Sequence, residues 1–152
     1  MTTRRIIPAL SPLYDGLTPY ADLLTRVVVG LFLMPHGAQK LFGMFGGYGI
    51  AGTGQYFGAK LGMEPGWLFA LLAGLVEFFG GLLIVLGLFT RPAAAAAFVL
   101  LMVAVIKVHL PAGFFMTGGG YEYALLWAVM CLGYVVRGGG ALSLDAKLGR
   151  EF

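Results

Sequence analysis

One long apolar run constrains this chain more than any other feature of its sequence. The run from Trp67 to Phe89 contains a single ionisable residue, Glu77, near its middle. About 20 apolar residues at a rise of about 1.5 Å each cross the hydrocarbon core of a bilayer. The run therefore predicts a transmembrane helix with a carboxyl group close to the membrane midplane. A carboxylate there is costly unless it faces protein, finds a partner or is protonated.

Two glycines flank this glutamate at helical spacing. Gly74 lies three residues before Glu77 and Gly81 lies four residues after it, so all three share one helix face. Small residues let a neighbouring helix approach closely. Two interpretations stay open: Glu77 is a functional group, or it is a structural bond to that neighbouring helix.

The composition predicts an integral membrane protein with a single domain covering residues 1–152. Hydrophobic residues make up 59% of the chain and charged residues 11%, with a mean hydropathy of +0.88, whereas soluble domains are about one quarter charged. The net charge of +3 comes without a basic cluster, so we expect no nucleic-acid partner. Cys131 is the only cysteine, which excludes an internal disulfide or a thiolate cluster, and we predict no metal site.

The fold class that we predict is all-α, a four-helix transmembrane bundle. The predicted spans are residues 22–42, 67–89, 92–110 and 121–136, with a short interfacial helix over 53–61 between the first two. The fourth span is short, so either Gly120 extends it or the bilayer is locally thin.

The first span has a distinctive start. Residues 1–21 form a polar, proline-interrupted lead, which does not resemble a secretory signal. Asp22 is the predicted helix N-cap, and Arg26, one turn further on, is expected to snorkel to the headgroups. Pro35 is expected to kink the helix near its end.

The charge distribution predicts the topology. With four spans, most arginines fall on one side of the membrane, and the positive-inside rule then places both termini in the cytoplasm. The basic residues on that side are Arg4, Arg5, Arg91, Arg137, Lys147 and Arg150.

The same topology gathers polar residues toward the non-cytoplasmic side, with Glu77 deeper. They are His36, Lys40, Lys107, His109, Tyr121, Glu122 and Tyr123. Each alone has an ordinary explanation, since lysines at span ends snorkel and tyrosines there anchor the helix. Together they predict a pocket.

Two chemistries fit such a pocket. In the first, a quinone head group accepts a hydrogen bond from a histidine or lysine, and a nearby carboxylate exchanges the proton when the ring is reduced. In the second, His36 and His109 hold haem b. An isolated histidine pair at different depths is weak evidence, so we favour the quinone.

A set of short motifs resembles the DoxX family of small bacterial membrane proteins over roughly Leu23 to Asp145. The motifs are His36-Gly37-x-Gln39-Lys40-Leu41-Phe42-Gly43, Gly49-x-x-Gly52-Thr53, Ala73-Gly74-x-x-Glu77-x-x-Gly80-Gly81, Leu88-x-Thr90-Arg91, His109-Leu110-Pro111-x-Gly113-Phe114-Phe115 and Gly120-Tyr121-Glu122-Tyr123-Ala124-Leu125-Leu126. The resemblance implies a four-helix bundle in the bacterial plasma (inner) membrane. It also implies a tie to redox metabolism, because related DoxD-type subunits belong to a thiosulfate:quinone oxidoreductase. Fold transfers between relatives more safely than reaction does.

The first functional hypothesis is a quinone-interacting membrane subunit, linked to thiosulfate or thiol oxidation or to oxidative-stress defence. Its candidate catalytic residues are Glu77 and His36, and its candidate binding residues are Lys40, Lys107, His109, Tyr121 and Glu122. The alternative is a non-catalytic anchor or assembly factor for soluble redox enzymes, such as the sulfurtransferase or superoxide dismutase partners that the resemblance implies. A small-solute transporter is a third hypothesis, and small-residue faces would permit a homodimer.

Overall fold

A computed structural model describes residues 5–150 of the chain, and this part is helical without any strand. Three helical segments are long and apolar enough to cross a membrane: Pro8–Phe42, Gly66–Leu86 and Thr90–Ala112. The helices are α1 (Ser11–Phe42), α2 (Gly49–Leu61), α3 (Gly66–Leu75), α4 (Gly81–Leu86), α5 (Thr90–Ala104), α6 (Glu122–Arg137) and α7 (Leu144–Leu148). Short 3-10 turns occupy Pro8–Leu10, Met44–Gly46, Leu110–Ala112 and Met116–Gly118.

The first helix is longer than the sequence predicted. α1 has 32 residues and starts at Ser11, so residues 11–21 continue the first span and are not a separate lead. Pro12 is tolerated because the first-turn N–H groups have no partner within a helix, and the helix also runs on through Pro19 and Pro35. Asp22 is therefore not an N-cap, because it lies three turns inside the helix.

The short helix between the first two spans was predicted nearly correctly, beginning at Gly49 rather than residue 53. It packs closely on the start of α3 through glycines. A methyl group on Gly66 would collide with the backbone of Gly54 and Gly58, and one on Gly54 would meet the backbone of Trp67. Its interfacial position stays a prediction.

Both of the next two candidate spans contain a π-helical turn. In the second span, the turn Val76–Gly80 joins α3 to α4. In the third, the turn Val105–His109 follows α5. The second span ends at Leu86, three residues before its predicted end, because Gly87 adopts a left-handed conformation (φ 65°) that terminates the helix.

The last long helix, α6, has 16 residues and measures about 24 Å. It covers almost the whole predicted fourth span, but it is shorter than the hydrocarbon core of about 30 Å. The four-span bundle and the orientation of the termini therefore stay predictions.

A close helix contact joins α1 to the second span, as the glycine spacing predicted. Gly30 lies against Gly81, and Gly37 lies against Gly74 and Phe78. A methyl group on Gly30, Gly37 or Gly81 would collide with the backbone of the facing helix, and one on Gly74 would collide with the side chain of Leu41. This glycine seam, formed by Gly30, Gly37, Gly74 and Gly81, fixes the register of the two antiparallel helices.

A second antiparallel contact joins α1 to α6. Arg137 forms an ion pair with Asp22, the hydroxyls of Thr25 and Tyr134 lie 2.6 Å apart, and the rings of Phe32 and Trp127 lie 5.5 Å apart. α6 packs more extensively on α5, and the buried Cys131 belongs to the same apolar core as Ala93, Ala94 and Ala97 of α5.

Candidate functional site

The central feature of the candidate site is an ion pair between the first two spans. The Nζ atom of Lys40 lies 2.6 Å from Oε2 and 2.9 Å from Oε1 of Glu77. The side chains are 21% and 10% exposed, respectively. Lys40 therefore turns inward to the carboxylate, and the predicted partner of Glu77 is an ammonium group on the neighbouring helix.

The backbone around Glu77 explains how the carboxylate reaches this lysine. The glycine seam brings α1 close to the second span, with Lys40 and Leu41 directly against Gly74. Glu77 lies in the π-helical turn Val76–Gly80, and π turns often occur at functional sites because they redirect side chains. The second π turn carries Lys107 and His109.

His36 lies at the same level as Glu77, since its neighbour Gly37 packs against Phe78. The imidazole is exposed on the outside of the packed helices. The backbone carbonyl of His36 also accepts a hydrogen bond of 3.4 Å from Lys40. His36 is thus one helical turn from the ion pair but presents its ring outward.

Three other predicted site residues surround the loop before α6. The Nδ1 atom of His109 lies 2.7 Å from the carbonyl oxygen of Gly119. Glu122 accepts a hydrogen bond of 2.7 Å from the backbone N–H of Met116, and Tyr121 packs edge-on against Phe114 at 5.5 Å. These contacts hold the loop in place, and the side chain of Lys107 is exposed nearby.

The structure therefore places the seven predicted residues in three settings. Lys40 and Glu77 contact each other, three residues support the loop, and His36 and Lys107 are exposed. Within residues 5–150, His, Cys, Asp and Glu do not gather in threes that could hold a metal ion. The roles assigned to the seven residues stay predictions.

Sequence reasoning missed a second polar cluster, which we call the C-terminal network (Arg26, Thr90, Leu142, Ser143 and Asp145). The prediction that Arg26 snorkels to the headgroups is wrong, because its side chain is 1% exposed. Its guanidinium donates to the carbonyl oxygens of Ile84 and Val85 at 2.7 Å and of Leu142 at 2.8 Å. Ile84 and Val85 lie in the last turn of the second span, and Leu142 lies in the chain beyond α6. These inward-facing carbonyls explain why the arginine turns inward.

Asp145 completes the network by capping α5 from a distance. Its carboxylate accepts hydrogen bonds from the backbone N–H groups of Phe89 and Thr90, and from the Thr90 hydroxyl at 2.7 Å. Burial alone would raise the pKa of Asp145, but these bonds and the Arg26 charge outweigh burial and hold the pKa below its ordinary value. The one indication of this network in the sequence was that Arg26 and Asp145 each stand among mostly apolar residues.

A cavity borders this network and lies away from the ion pair. It has a volume of about 370 Å³ and is lined by Arg137, Gly140, Ala141, Ser143, Asp145, Ala146, Gly149 and Arg150. It is a shallow opening beside α7. The polar chemistry of the ion pair, rather than this opening, is therefore the basis of the candidate site.

Comparisons with known proteins give a consistent picture. The DoxX family profile matches residues 21–110. An uncharacterized protein of Haemophilus influenzae is 34% identical over 136 residues, which cover 85% of this chain and 91% of that protein. The "Putative oxidoreductase CatD" of Bacillus subtilis is 34% identical over 123 residues, or 81% of this chain and 83% of that protein. The "Inner membrane protein YphA" of Escherichia coli is 34% identical over 142 residues, or 88% and 94%. No solved structure matches the chain.

Proposed function

Because the chain belongs to the DoxX family of membrane proteins, we propose that it is a quinone-interacting subunit of a redox system in the bacterial inner membrane. A relative named as an oxidoreductase and another named as an inner membrane protein support the redox link and the location. We further propose the orientation that the charge distribution predicts, with both termini in the cytoplasm.

The observation that carries this proposal is the Lys40–Glu77 ion pair inside the apolar part of the protein. Reduction of a quinone to a quinol takes up two electrons and two protons. An ammonium group can donate a hydrogen bond to the quinone oxygen, and the paired carboxylate can take up a proton from water and relay it to that oxygen. The partial exposure of the Lys40 side chain leaves its amine within reach of a ligand.

The proposed electron donor is a thiosulfate or a thiol. We propose that a partner protein oxidises it or that it is oxidised at the predicted mouth of the pocket in this chain. Two thiosulfates that join as tetrathionate release two electrons, which balances the reduction of one quinone with two protons. Lys40 is engaged by Glu77, so Lys107 is the exposed cation best placed to attract such an anion near the predicted mouth. The loop residues His109, Tyr121 and Glu122 would shape this entrance.

Quinone binding to variants of the purified protein tests the proposal. We expect Lys40→Met and Glu77→Gln each to weaken decylubiquinone binding at least tenfold, because each removes one half of the hydrogen-bonding pair. Equilibrium binding in mild detergent measures the change.

Lys60 provides a matched control, since its side chain is exposed on α2. Lys60→Met should leave the affinity within twofold of the wild-type value. Equal affinities for the wild type, Lys40→Met and Glu77→Gln, in protein that remains folded, would remove the ion pair from the site.

A second candidate function is a non-catalytic anchor or assembly factor for soluble redox enzymes, such as a sulfurtransferase or superoxide dismutase. It is favoured by the extension of α1, where residues from Ser11 onward precede the helix contacts and leave Leu13, Tyr14 and Leu17 exposed. On this alternative the Lys40–Glu77 pair only joins two helices. Co-purification of a soluble enzyme without bound quinone, lost on deletion of residues 5–17, would support it.

A further inference from the structure

The opening beside α7 has two arginines in its wall. Its volume of about 370 Å³ lies within the range of small-ligand sites, about 300–1,000 Å³. Arg137 ends α6 and Arg150 follows α7, so two separate parts of the chain bring guanidinium groups to one opening. A guanidinium keeps its positive charge in proteins and suits the binding of phosphate.

Both guanidinium groups keep hydrogen-bond donors that the fold does not use. Arg137 binds Asp22 through one terminal nitrogen, and its side chain is 61% exposed, whereas a guanidinium carries five N–H donors. Arg150 is exposed, and within residues 5–150 its side chain makes no hydrogen bond or ion pair. Donors of both arginines are therefore available to a ligand in the opening.

The one carboxylate in the wall of the opening, Asp145, is already balanced by its own partners. Its oxygens accept three hydrogen bonds from Phe89 and Thr90, and the charge of Arg26 acts on it. The residue is also buried. The exposed charge that a ligand meets in the opening is therefore that of the arginines.

Close contacts hold the wall of the opening in place. The hydroxyl of Ser143 donates to the carbonyl oxygen of Gly140 at 2.6 Å and accepts from the N–H of Ala146 at 3.1 Å. A methyl group on Gly139 would collide with the side chains of Ser143 and Thr90. The segment before α7 is thus fixed against the start of α5, and little ordering is needed when a ligand binds.

The opening lies at the end of the protein that is predicted to face the cytoplasm. Leu142, beside it, binds Arg26, which also binds the last turn of the second span. This contact places the opening near the level at which the hydrocarbon core ends. Val136 and Leu148, next in the chain to residues of the wall or close to them, are exposed apolar side chains. Cationic donors beside exposed apolar groups suit a lipid head group with its chains.

We propose that this opening binds the phosphate group of an anionic lipid from the leaflet at this end of the protein. Arg137 and Arg150 donate hydrogen bonds to the phosphate oxygens. Basic pockets on the cytoplasmic side of membrane proteins bind such head groups. The site goes beyond the proposed quinone function, because Arg26 and Lys40 lie about 20 Å apart along α1.

Native mass spectrometry of the whole protein in mild detergent measures lipid binding directly. The probes are phosphatidylglycerol, which is anionic, and phosphatidylcholine, which carries a phosphate but no net charge. We expect phosphatidylglycerol to bind saturably and at least fivefold more tightly than phosphatidylcholine. Equal affinities for the two lipids would overturn the inference, because the arginines would then not select an anionic head group.

Variants of the arginines test which residues hold the head group. Arg150→Gln and Arg137→Gln should each weaken phosphatidylglycerol binding at least fivefold. Lys147→Gln is the matched control, because Lys147 is exposed on α7 but does not line the opening. Its affinity should stay within twofold of the wild-type value. Equal losses for Arg150→Gln and Lys147→Gln would trace binding to the general surface charge and would overturn the inference.

A bulky residue in the wall tests the opening itself without a change of charge. Ala146 is exposed and lines the opening, so Ala146→Trp should fill the space and weaken phosphatidylglycerol binding at least fivefold. The thermal unfolding midpoint should stay close to that of the wild type. Unchanged binding in this variant would place the head group elsewhere and would contradict the proposed site.

Inorganic phosphate separates a lipid from a soluble anion as the ligand. In millimolar excess it should leave phosphatidylglycerol binding within twofold, because the lipid chains add affinity that a free anion lacks. Phosphate binding that depends on Arg150, without saturable binding of phosphatidylglycerol, would identify a soluble anion and overturn the lipid assignment. Decylubiquinone binding should be unchanged in Arg150→Gln, so this test and that of the proposed function succeed or fail separately.

Discussion

Within residues 5–150, charged side chains are buried at two places, and the two places are built differently. In the C-terminal network, Arg26 binds three carbonyl oxygens, and Asp145 accepts three hydrogen bonds at the start of α5. In the other place, Lys40 and Glu77 bind mainly each other. The network is divided among several parts of the chain, whereas the ion pair links only two helices.

This difference separates charged residues that stabilise the fold from a charged pair that we propose takes part in chemistry. Arg26 is 1% exposed and Asp145 is 5% exposed, and their partners are mostly backbone groups that cannot change protonation. The side chain of Lys40 is 21% exposed, and both members of its pair can gain or lose a proton. We therefore propose that the network supplies stability and that the ion pair exchanges protons.

The largest effect is expected at Arg26. Arg26→Met should lower the free energy of unfolding by about 3–5 kcal/mol, because it removes a buried charge and leaves three carbonyl oxygens without their donor. Thermal unfolding in mild detergent measures the loss.

Arg137→Met is the matched control for this substitution. Arg137 pairs with Asp22 but its side chain is 61% exposed, so the loss should stay below about 1 kcal/mol. Similar losses for the two arginines would break the distinction between the network and an ordinary surface pair.

The sequence placed Glu77 against a neighbouring helix without naming Lys40 as its partner, whereas it indicated the network only weakly, for a physical reason. The spacing of Gly74, Glu77 and Gly81 follows from helix geometry, and that spacing predicted a closely packed partner helix. The partner of Arg26 is backbone, which any residue provides, and Ile84 and Leu142 lie 58 and 116 residues away. No local pattern can encode such a contact.

The helix boundaries show the same limit. The apolar runs located the second and third spans and the last long helix, but α1 starts at Ser11 in spite of two prolines in its first three turns. The π turns at Val76–Gly80 and Val105–His109 had no sequence signal, although they carry three of the seven predicted site residues. Packing, rather than local preference, determines these details.

An intermediate effect is expected at Asp145. Because its pKa is lower in the folded protein than the ordinary value of about 3.9, its contribution to stability is fully present above that pH and is lost as the pH falls through the folded-state pKa. Asp145→Asn should cost about 2 kcal/mol at pH 7, through weakened hydrogen bonds at the start of α5. Unfolding measured at pH 7 and near pH 3 should show the difference between wild type and variant shrinking at the acidic pH.

Asp15→Asn is the control, since Asp15 is an exposed residue that pairs with Arg5. Its unfolding midpoint should stay close to the wild-type value at both pH values. If the stability difference between the wild type and Asp145→Asn is the same at both pH values, the shape of the Asp145 side chain, and not its charge, gives this residue its role in the network.

The smallest effect on stability is expected at the ion pair itself. In a cycle of Lys40→Met, Glu77→Gln and the double variant, the coupling energy should be about 1 kcal/mol, because a carboxyl group that loses its partner in apolar surroundings can take up a proton instead of remaining charged. Thermal unfolding of the four proteins gives the coupling energy. The same proteins should show the large loss of quinone affinity predicted above. A coupling energy of about 3 kcal/mol or more, with unchanged quinone affinity, would show that the pair is structural, like the C-terminal network. Weak coupling with a loss of quinone affinity is the result expected of a pair that exchanges protons.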